Sequence, residues 1–312
     1  MSIPTEFSHQ SRIAVNGVEL DVFEAGVEHA GNPIVLCHGW PDHALTWRHQ
    51  VPELVAAGYH VIAPNQRGFG GSSRPAEVEA YDVEHLTGDL AGLLDHFGYE
   101  RATFLGHDWG ATVSWWMAAL HPKRVTEIIA LSVPYLSRGE MPWITFLEAI
   151  LGKDYYMVHF NRQPGVADAV LDQHTRQFLT NLYRMNLPAP QPEPGNAMVN
   201  LALADRPLGD PILRDSELDQ LVADFEATGF TPGINWYRNL DRNWHLLGEV
   251  DPVIQQPALM IYGDRDPVAR AEGLAELVPN VEEVSLDCGH WIQQEQPEAT
   301  NRLILDWLAK RR

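Results

Sequence analysis

The residues best placed for chemistry begin with Asp108, at the centre of Gly106-His107-Asp108-Trp109-Gly110. The apolar, β-branched run Arg101-Ala102-Thr103-Phe104-Leu105 leads into it, and helix-forming residues 111–120 lead out. Two glycines around a central residue, between a strand and a helix, describe a nucleophile elbow: a sharp turn that lifts one side chain above the sheet. The lifted residue here is a carboxylate. A hydroxyl that attacks an alkyl carbon leaves an ether, which water does not cleave. A carboxylate leaves an ester, which an activated water can cleave. With a reference pKa of about 3.9, aspartate is ionised at neutral pH and needs no base for its attack.

An ester must then be hydrolysed, which calls for a base and an acid to orient it. In this topology they follow the nucleophile in the order acid, histidine. Gly263-Asp264-Arg265-Asp266-Pro267 and Asp287-Cys288-Gly289-His290-Trp291 supply them, each in a loop after a strand-like run. We read His290 as the base and Asp266 as its acid, with Asp264 as the alternative. Singly, Asp266 is also a common turn residue before proline, and His290 a common surface residue. Their order and placement favour catalysis.

Stepping outward, residues 11–15 and 19–23 alternate around Asn16-Gly17, a hairpin signal. The continuous apolar run Pro33-Ile34-Val35-Leu36-Cys37 suits a central strand covered on both faces, and it ends at His38-Gly39-Trp40-Pro41. Helical spacing through Trp47, Val51, Leu54 and Val55 follows, closed by Gly58, and His60-Val61-Ile62-Ala63 reads as the next strand. The loop from Asn65 to Pro75 is glycine-rich but lacks both the third glycine of a dinucleotide fingerprint and a Gly-Lys-Ser/Thr sequence, so it reads as a structural turn. Residues 82–97 form an amphipathic helix capped by Gly98, and residues 125–132 a buried strand. This βα alternation predicts a mainly parallel sheet with helices on both faces.

At Pro134 the rhythm breaks. Residues 134–250 read as helices rich in aromatic side chains, interrupted by a loop at 186–195 that carries Pro188, Pro190, Pro192 and Pro194. We expect this segment to be a cap inserted into a core made of residues 1–133 and 251–312. Strands near 258–262 and 282–286 and a closing helix from Pro297 complete the core.

The 312 residues are 45% apolar, enough for a sizeable core, and carry no internal repeat. With 22 basic and 42 acidic residues, the net charge of −20 opposes nucleic acid and anionic lipid. Cys37 and Cys288 lie far apart, without metal-ligand spacing, and read as free thiols in a reducing compartment. His107, His159, His174 and His245 share no ligand spacing either, so neither metal nor cofactor is expected. No basic leader and no apolar run of membrane-spanning length is present, which predicts a cytoplasmic protein.

With these residues in view, the chain resembles the α/β-hydrolase fold over essentially its whole length. Within that fold it is similar to soluble epoxide hydrolases, both the hydrolase domain of the mammalian enzyme and its bacterial relatives. The resemblance rests on His38-Gly39-Trp40-Pro41, the Asp108 pentad, Asn235-Trp236-Tyr237-Arg238-Asn239, Gly263-Asp264-Arg265-Asp266 and Cys288-Gly289-His290-Trp291. It implies a mostly parallel eight-stranded sheet with an inserted helical cap, and a detoxifying hydrolase that turns epoxides into vicinal diols through an ester on Asp108. It also implies two cap tyrosines that polarise the epoxide oxygen. Tyr237 matches one. The other lies upstream of Pro164-Gly165, where the spacing to Phe160 selects Tyr156 and leaves Tyr155 as the alternative.

The backbone N–H groups of Trp40 and Trp109 stand where an oxyanion hole is expected, and His38, Gly39 and Pro41 would shape that turn, with a cis peptide. His107, Tyr155, Phe160 and Trp291 are candidates for the pocket wall. The resemblance implies no metal and no cofactor. The partners expected are a small hydrophobic epoxide and water, with the chain acting as a monomer or homodimer. A haloalkane dehalogenase would share the Asp108, His290 and Asp266 triad but would not need two cap tyrosines. A non-catalytic ligand-binding protein of this fold would not need the triad.

Overall fold

The computed structural model describes residues 5–188 and 194–311. The first half is built from β1 (His9–Val15), β2 (Val18–Ala25), β3 (Pro33–Cys37), α1 (Val51–Ala56), β4 (His60–Asn65), α2 (Val83–Phe97), β5 (Ala102–His107), α3 (Trp109–Leu120) and β6 (Val125–Leu131). The β1–β2 turn takes positive φ at both Asn16 (47°) and Gly17 (78°), which matches the twist of the strands it joins. Asp82 caps α2 by accepting the His85 N–H, and Gly98 ends that helix at φ 72°. The spacing between Trp47 and Val55 resolves into a 3₁₀ turn at Ala44–Trp47 and then α1, which has proline in its first turn.

A helical region follows: α4 (Trp143–Leu151), α5 (Tyr156–Arg162), α6 (Val166–Gln173), α7 (Thr175–Leu182), α8 (Ala197–Leu203), α9 (Asp215–Thr228), α10 (Thr231–Arg238) and α11 (Leu240–Leu246). Two short strands within it, β7 (Arg184–Met185) and β8 (Asp210–Pro211), pair with each other. Residues 189–193 of the proline-rich loop fall outside the described residues. The chain then returns to the sheet with β9 (Ala258–Gly263), α12 (Leu274–Leu277), β10 (Val281–Leu286), α13 (Ile292–Glu295) and α14 (Pro297–Ala309).

The eight main strands run in the order β1-β2-β4-β3-β5-β6-β9-β10. All neighbours from β4 to β10 are parallel, and β2 is antiparallel to both β1 and β4. Alternate residues of β3 divide between two cores. Val35 and Cys37 join one and Ile34 and Leu36 the other, as a doubly covered strand requires. The first of these cores also takes in Trp40, Phe160, Phe178, Phe230 and Tyr237, so the sheet and the inserted helices share one apolar interior. Among the described residues, no helix is long and apolar enough to cross a membrane.

The strand order reverses direction beside β3 and β5, which are adjacent with Cys37 paired to Gly106. Loops that leave a sheet at such a point open a crevice at its C-terminal edge. Here the loops after β3 and β5 are drawn almost into contact. A Cβ on Gly110 would lie 1.9 Å from the Cys37 carbonyl oxygen, and one on Gly106 would lie 2.2 Å from the Gly110 carbonyl oxygen. Both obstacles are backbone and cannot swing aside. Gly110→Ala is therefore expected to lower the unfolding free energy by about 3 kcal/mol, the upper end of the usual cost of overpacking, and a denaturant melt would check it.

Candidate active site

Asp108 stands between β5 and α3 at φ 54°, ψ −122°, a conformation L-residues rarely adopt, and its carboxylate turns back toward the loop after β3. Its Oδ1 accepts the Trp40 N–H at 2.8 Å, and the Trp109 N–H also bonds the carboxylate. The two expected oxyanion donors thus hold an oxygen of Asp108 in the resting protein. Burial pushes the Asp108 pKa up, while the nearby His290 and the two N–H donors work against that rise.

The turn that carries Trp40 is fixed by His38. Its Nδ1 lies 2.8 Å from the Gly39 carbonyl, and the Gln66 N–H donates to its Nε2 at 3.0 Å. Burial holds this histidine neutral, with its pKa lowered to about 3. Gly39 leaves no room for a side chain, since a Cβ there would lie 2.5 Å from that of Asp108. The Trp40–Pro41 peptide is cis.

On the opposite side, His290 presents Nε2 at 3.8 Å from Asp108 Oδ2 and Nδ1 at 3.1 and 3.2 Å from the two oxygens of Asp266. Burial works to raise the Asp266 pKa. The His290 charge and bonds from His290, the Val268 N–H and Ser132 outweigh it, and the pKa is lowered. An ionised carboxylate only accepts, so His290 Nδ1 carries a proton toward Asp266. In the free protein the ring is charged and faces Asp108 as a cation, and Nε2 gains a free lone pair only when the ring is deprotonated. Burial alone would depress His290, but the charge and hydrogen bond of Asp266 and the charge of Asp108 carry its pKa up to about 9. Asp264 is half exposed and pairs with Arg270 at 2.6 Å. Only Asp266 meets the histidine.

The helices above the sheet bring tyrosines to the same place. Tyr237, on α10, is 2% exposed, and its ring lies edge-on to Trp109 and Trp40 at 5.0 and 5.4 Å between centroids. Tyr156, the first residue of α5, sets its ring 5.7 Å from that of Tyr237. Burial first, and the Asp108 charge among the further causes, raise both phenols well above 10. The Tyr155 ring lies tilted against that of Tyr156, 4.9 Å between centroids. His107 and Phe160 are fully buried. His107 Nε2 bonds the His290 carbonyl at 2.8 Å, and Phe160 backs Tyr237 at 5.5 Å. Both therefore pack directly against residues of the site. Trp291 stacks on Tyr183 at 4.1 Å, and the Tyr183 hydroxyl donates to the Pro41 carbonyl at 2.9 Å.

Three supporting residues went unremarked in the sequence. Ser132, at φ 73° after β6, places its hydroxyl 3.1 Å from His290 Nδ1. Glu295 accepts the N–H groups of Gly289 and Trp291 at 2.8 and 3.0 Å, which pins the His290 loop. Tyr183 ties the helical region to the cis-proline turn. The position of Ser132 at a strand end beside the elbow was the one available signal. Among the described residues, no group of three potential metal ligands is found.

Comparison with known proteins places the chain among its relatives. Residues 32–297 match the family described as alpha/beta hydrolase fold. The chain is 42% identical to Epoxide hydrolase A of Mycobacterium tuberculosis, over 99% of this chain and 98% of that protein. It is 31% identical to Bifunctional epoxide hydrolase 2 of Sus scrofa, over 98% of this chain but 56% of that longer protein. The crystal structure of Epoxide Hydrolase A from Mycobacterium thermoresistibile superposes with a TM-score of 0.89 at 42% identity, covering 96% and 98% of the two chains. That of potato (Solanum tuberosum) epoxide hydrolase I does so at 0.86 and 29%, covering 97% and 99%.

The coupling of His290 to Asp266 has a consequence for stability. A histidine whose folded pKa is raised from 6.5 to about 9 adds stability that is complete below about pH 6.5 and is lost as the pH climbs through about 9. In Asp266→Asn, thermal melts should lose much of that decline, and the ring titration of His290 followed by NMR should move down from about 9. A titration that stays put would break the assignment.

Proposed function

The chain belongs to the epoxide hydrolases of the alpha/beta hydrolase fold, and from that premise we propose how its residues divide the work of opening an epoxide to a vicinal diol. Residues 134–250 act as the cap over a core of 1–133 and 251–312. Asp108 Oδ2, the oxygen not engaged by Trp40, attacks one epoxide carbon. The C–O bond of the ring breaks, an ester forms, and the departing oxygen takes a proton from Tyr237 or Tyr156. Two hydroxyls aimed at one oxygen stabilise charge that exists only once the ring opens. The observation that carries this reading is that Tyr156 and Tyr237 adjoin each other and both feel the charge of Asp108.

Ester hydrolysis follows. The 3.8 Å gap between His290 Nε2 and Asp108 Oδ2 lies beside the carbonyl carbon that a water must reach. His290 takes a proton from that water, Asp266 stabilises the imidazolium, and the Trp40 and Trp109 N–H groups receive the oxyanion. The Cγ–Oδ2 bond then breaks, the departing diol oxygen takes the proton held by His290, and the second proton of the water returns through solvent to the tyrosine. The Asp108 charge helps hold the free His290 near 9, and esterification removes it. The histidine pKa therefore falls at the step in which it must be neutral. The same loss of charge makes the tyrosines better acids as the alkoxide forms.

A halide leaving group would call for N–H donors where the tyrosine hydroxyls lie. The Trp40 indole nitrogen instead abuts Gly233, buried without an acceptor. The Trp109 side chain does bond Tyr237, so the dehalogenase reading is set aside on the paired tyrosines, which loss of a halide would not need. The apolar and aromatic surroundings suit a hydrophobic epoxide, and we propose that the enzyme works in the cytoplasm as a monomer or homodimer.

In a single turnover in ¹⁸O-water, the diol should carry an unlabelled oxygen from Asp108, and mass spectrometry of diol and peptide would show it. Label in the first diol would mean direct attack by water. Tyr237→Phe should slow ester formation on the order of 10²-fold, the scale of one lost oxyanion donor, and leave ester hydrolysis nearly unchanged in pre-steady-state traces. Ester hydrolysis should rise with pH through an apparent pKa below the value of about 9 for free His290. An equal or higher value would refute the charge coupling.

A further inference from the structure

Tyr156 and Tyr237 sit on separate helices, α5 and α10, so hydroxyls that share one target require those helices to keep a fixed register. The residue after Tyr237 is built to hold it. Arg238 Nε donates to the Phe160 carbonyl on α5 at 3.1 Å, Nη1 to Asn235 Oδ1 one turn back at 2.9 Å, and Nη2 to Asp168 Oδ2 on α6 at 2.6 Å. Both members of the ion pair are nearly sealed from solvent, with side chains 10% and 6% exposed.

Asp168 also reaches the start of α10. Its Oδ1 accepts the Thr231 hydroxyl at 2.8 Å, and Asp172 on the same helix accepts the Phe230 N–H at 2.8 Å. A strut returns from α5, where Asn161 Nδ2 donates to the Tyr237 carbonyl at 3.0 Å. The anchored residue Phe160 touches both tyrosines, its ring 5.7 Å from Tyr156 and 5.5 Å from Tyr237.

We propose that Arg238 is a positioning residue for ring opening: its guanidinium, anchored on Asp168, locks α5 against α10 so that Tyr156 and Tyr237 aim at one epoxide oxygen. The proposal rests on the tyrosine roles given above. Its physical basis is the planar fork of arginine, which spans acceptors on three helices at fixed angles. A lysine ammonium keeps the charge toward Asp168 but is a point donor on a flexible stem. A buried ion pair alone is weak evidence for stability, since apolar replacements are often neutral. What the fork supplies is alignment, and misplacement by about 1 Å can cost 10²-fold in rate.

The test is a kinetic cycle with Arg238→Lys, Tyr156→Phe and the double variant, with ester formation and ester hydrolysis resolved by stopped-flow tryptophan fluorescence. Arg238→Lys should slow ester formation about 10-fold, within the range expected for a small misalignment, and leave ester hydrolysis within about twofold. In the Tyr156→Phe background it should add less than about twofold, because with one hydroxyl gone there is no longer a pair whose relative alignment matters. Equal losses in both steps, or the full loss repeated in the double variant, would overturn the proposal. Asp168→Asn, which keeps the shape but removes the anchor charge, should reproduce the Arg238→Lys pattern should that variant not fold. Failure of the tyrosine reading looks different: Tyr156→Phe and Tyr237→Phe would then leave ester formation unchanged, whatever Arg238→Lys does.

Discussion

Everything at this site depends on how closely two loops approach. The loop after β3 delivers the Trp40 N–H, and the turn after β5 delivers Asp108. The bond between them, at 2.8 Å, exists because Gly39, Gly106 and Gly110 present bare backbone at the crossing. Add one methyl group there and the sheet must part, the donor leaves the carboxylate, and α3 no longer starts where it does. The unusual backbone of Asp108 is tolerated because hydrogen bonds on both sides over-determine it.

A second dependence is electrostatic. Asp108, His290 and the two tyrosines occupy one apolar interior, where a unit charge is felt by every neighbour. The proposed ester is therefore more than a covalent waypoint. By deleting one charge it shifts the proton affinity of the base and of both acids, each in the direction the next event needs. No domain movement is required for that change.

Much of this was legible in the sequence, for reasons specific to each element. The elbow, the Asn16-Gly17 hairpin and the Gly98 cap are written in residues a few positions apart, where turn chemistry acts. The buried strands announced themselves as unbroken apolar runs. Asp266 and His290 followed from chain order in a known topology. Glu295 could not be read in this way, and Ser132 only through its place at a strand end, because their roles come from contacts with the His290 loop that no local pattern encodes. Nor could the sequence decide between Tyr155 and Tyr156, which are adjacent and of one type. The start of α5 decides which ring meets Tyr237. Phe160 lies one turn after Tyr156 on α5, and its ring accordingly packs on those of Tyr156 and Tyr237, while His107, which directly precedes Asp108, turns its ring to the His290 loop. Arg238 stood in the quoted motif without a role until the three helices it joins were in place.

The way Asp108 is held makes its two oxygens unlike. Oδ1 rests against the Trp40 N–H before any substrate arrives, and Oδ2 faces His290. On the proposed mechanism, Oδ2 leaves with each diol and the oxygen of a water takes its place, while Oδ1 stays where it is. One atom of the nucleophile is then a permanent part of the protein, laid down at synthesis. The other is consumed and renewed with every catalytic cycle, so a working molecule soon carries solvent oxygen in half of its nucleophilic carboxylate.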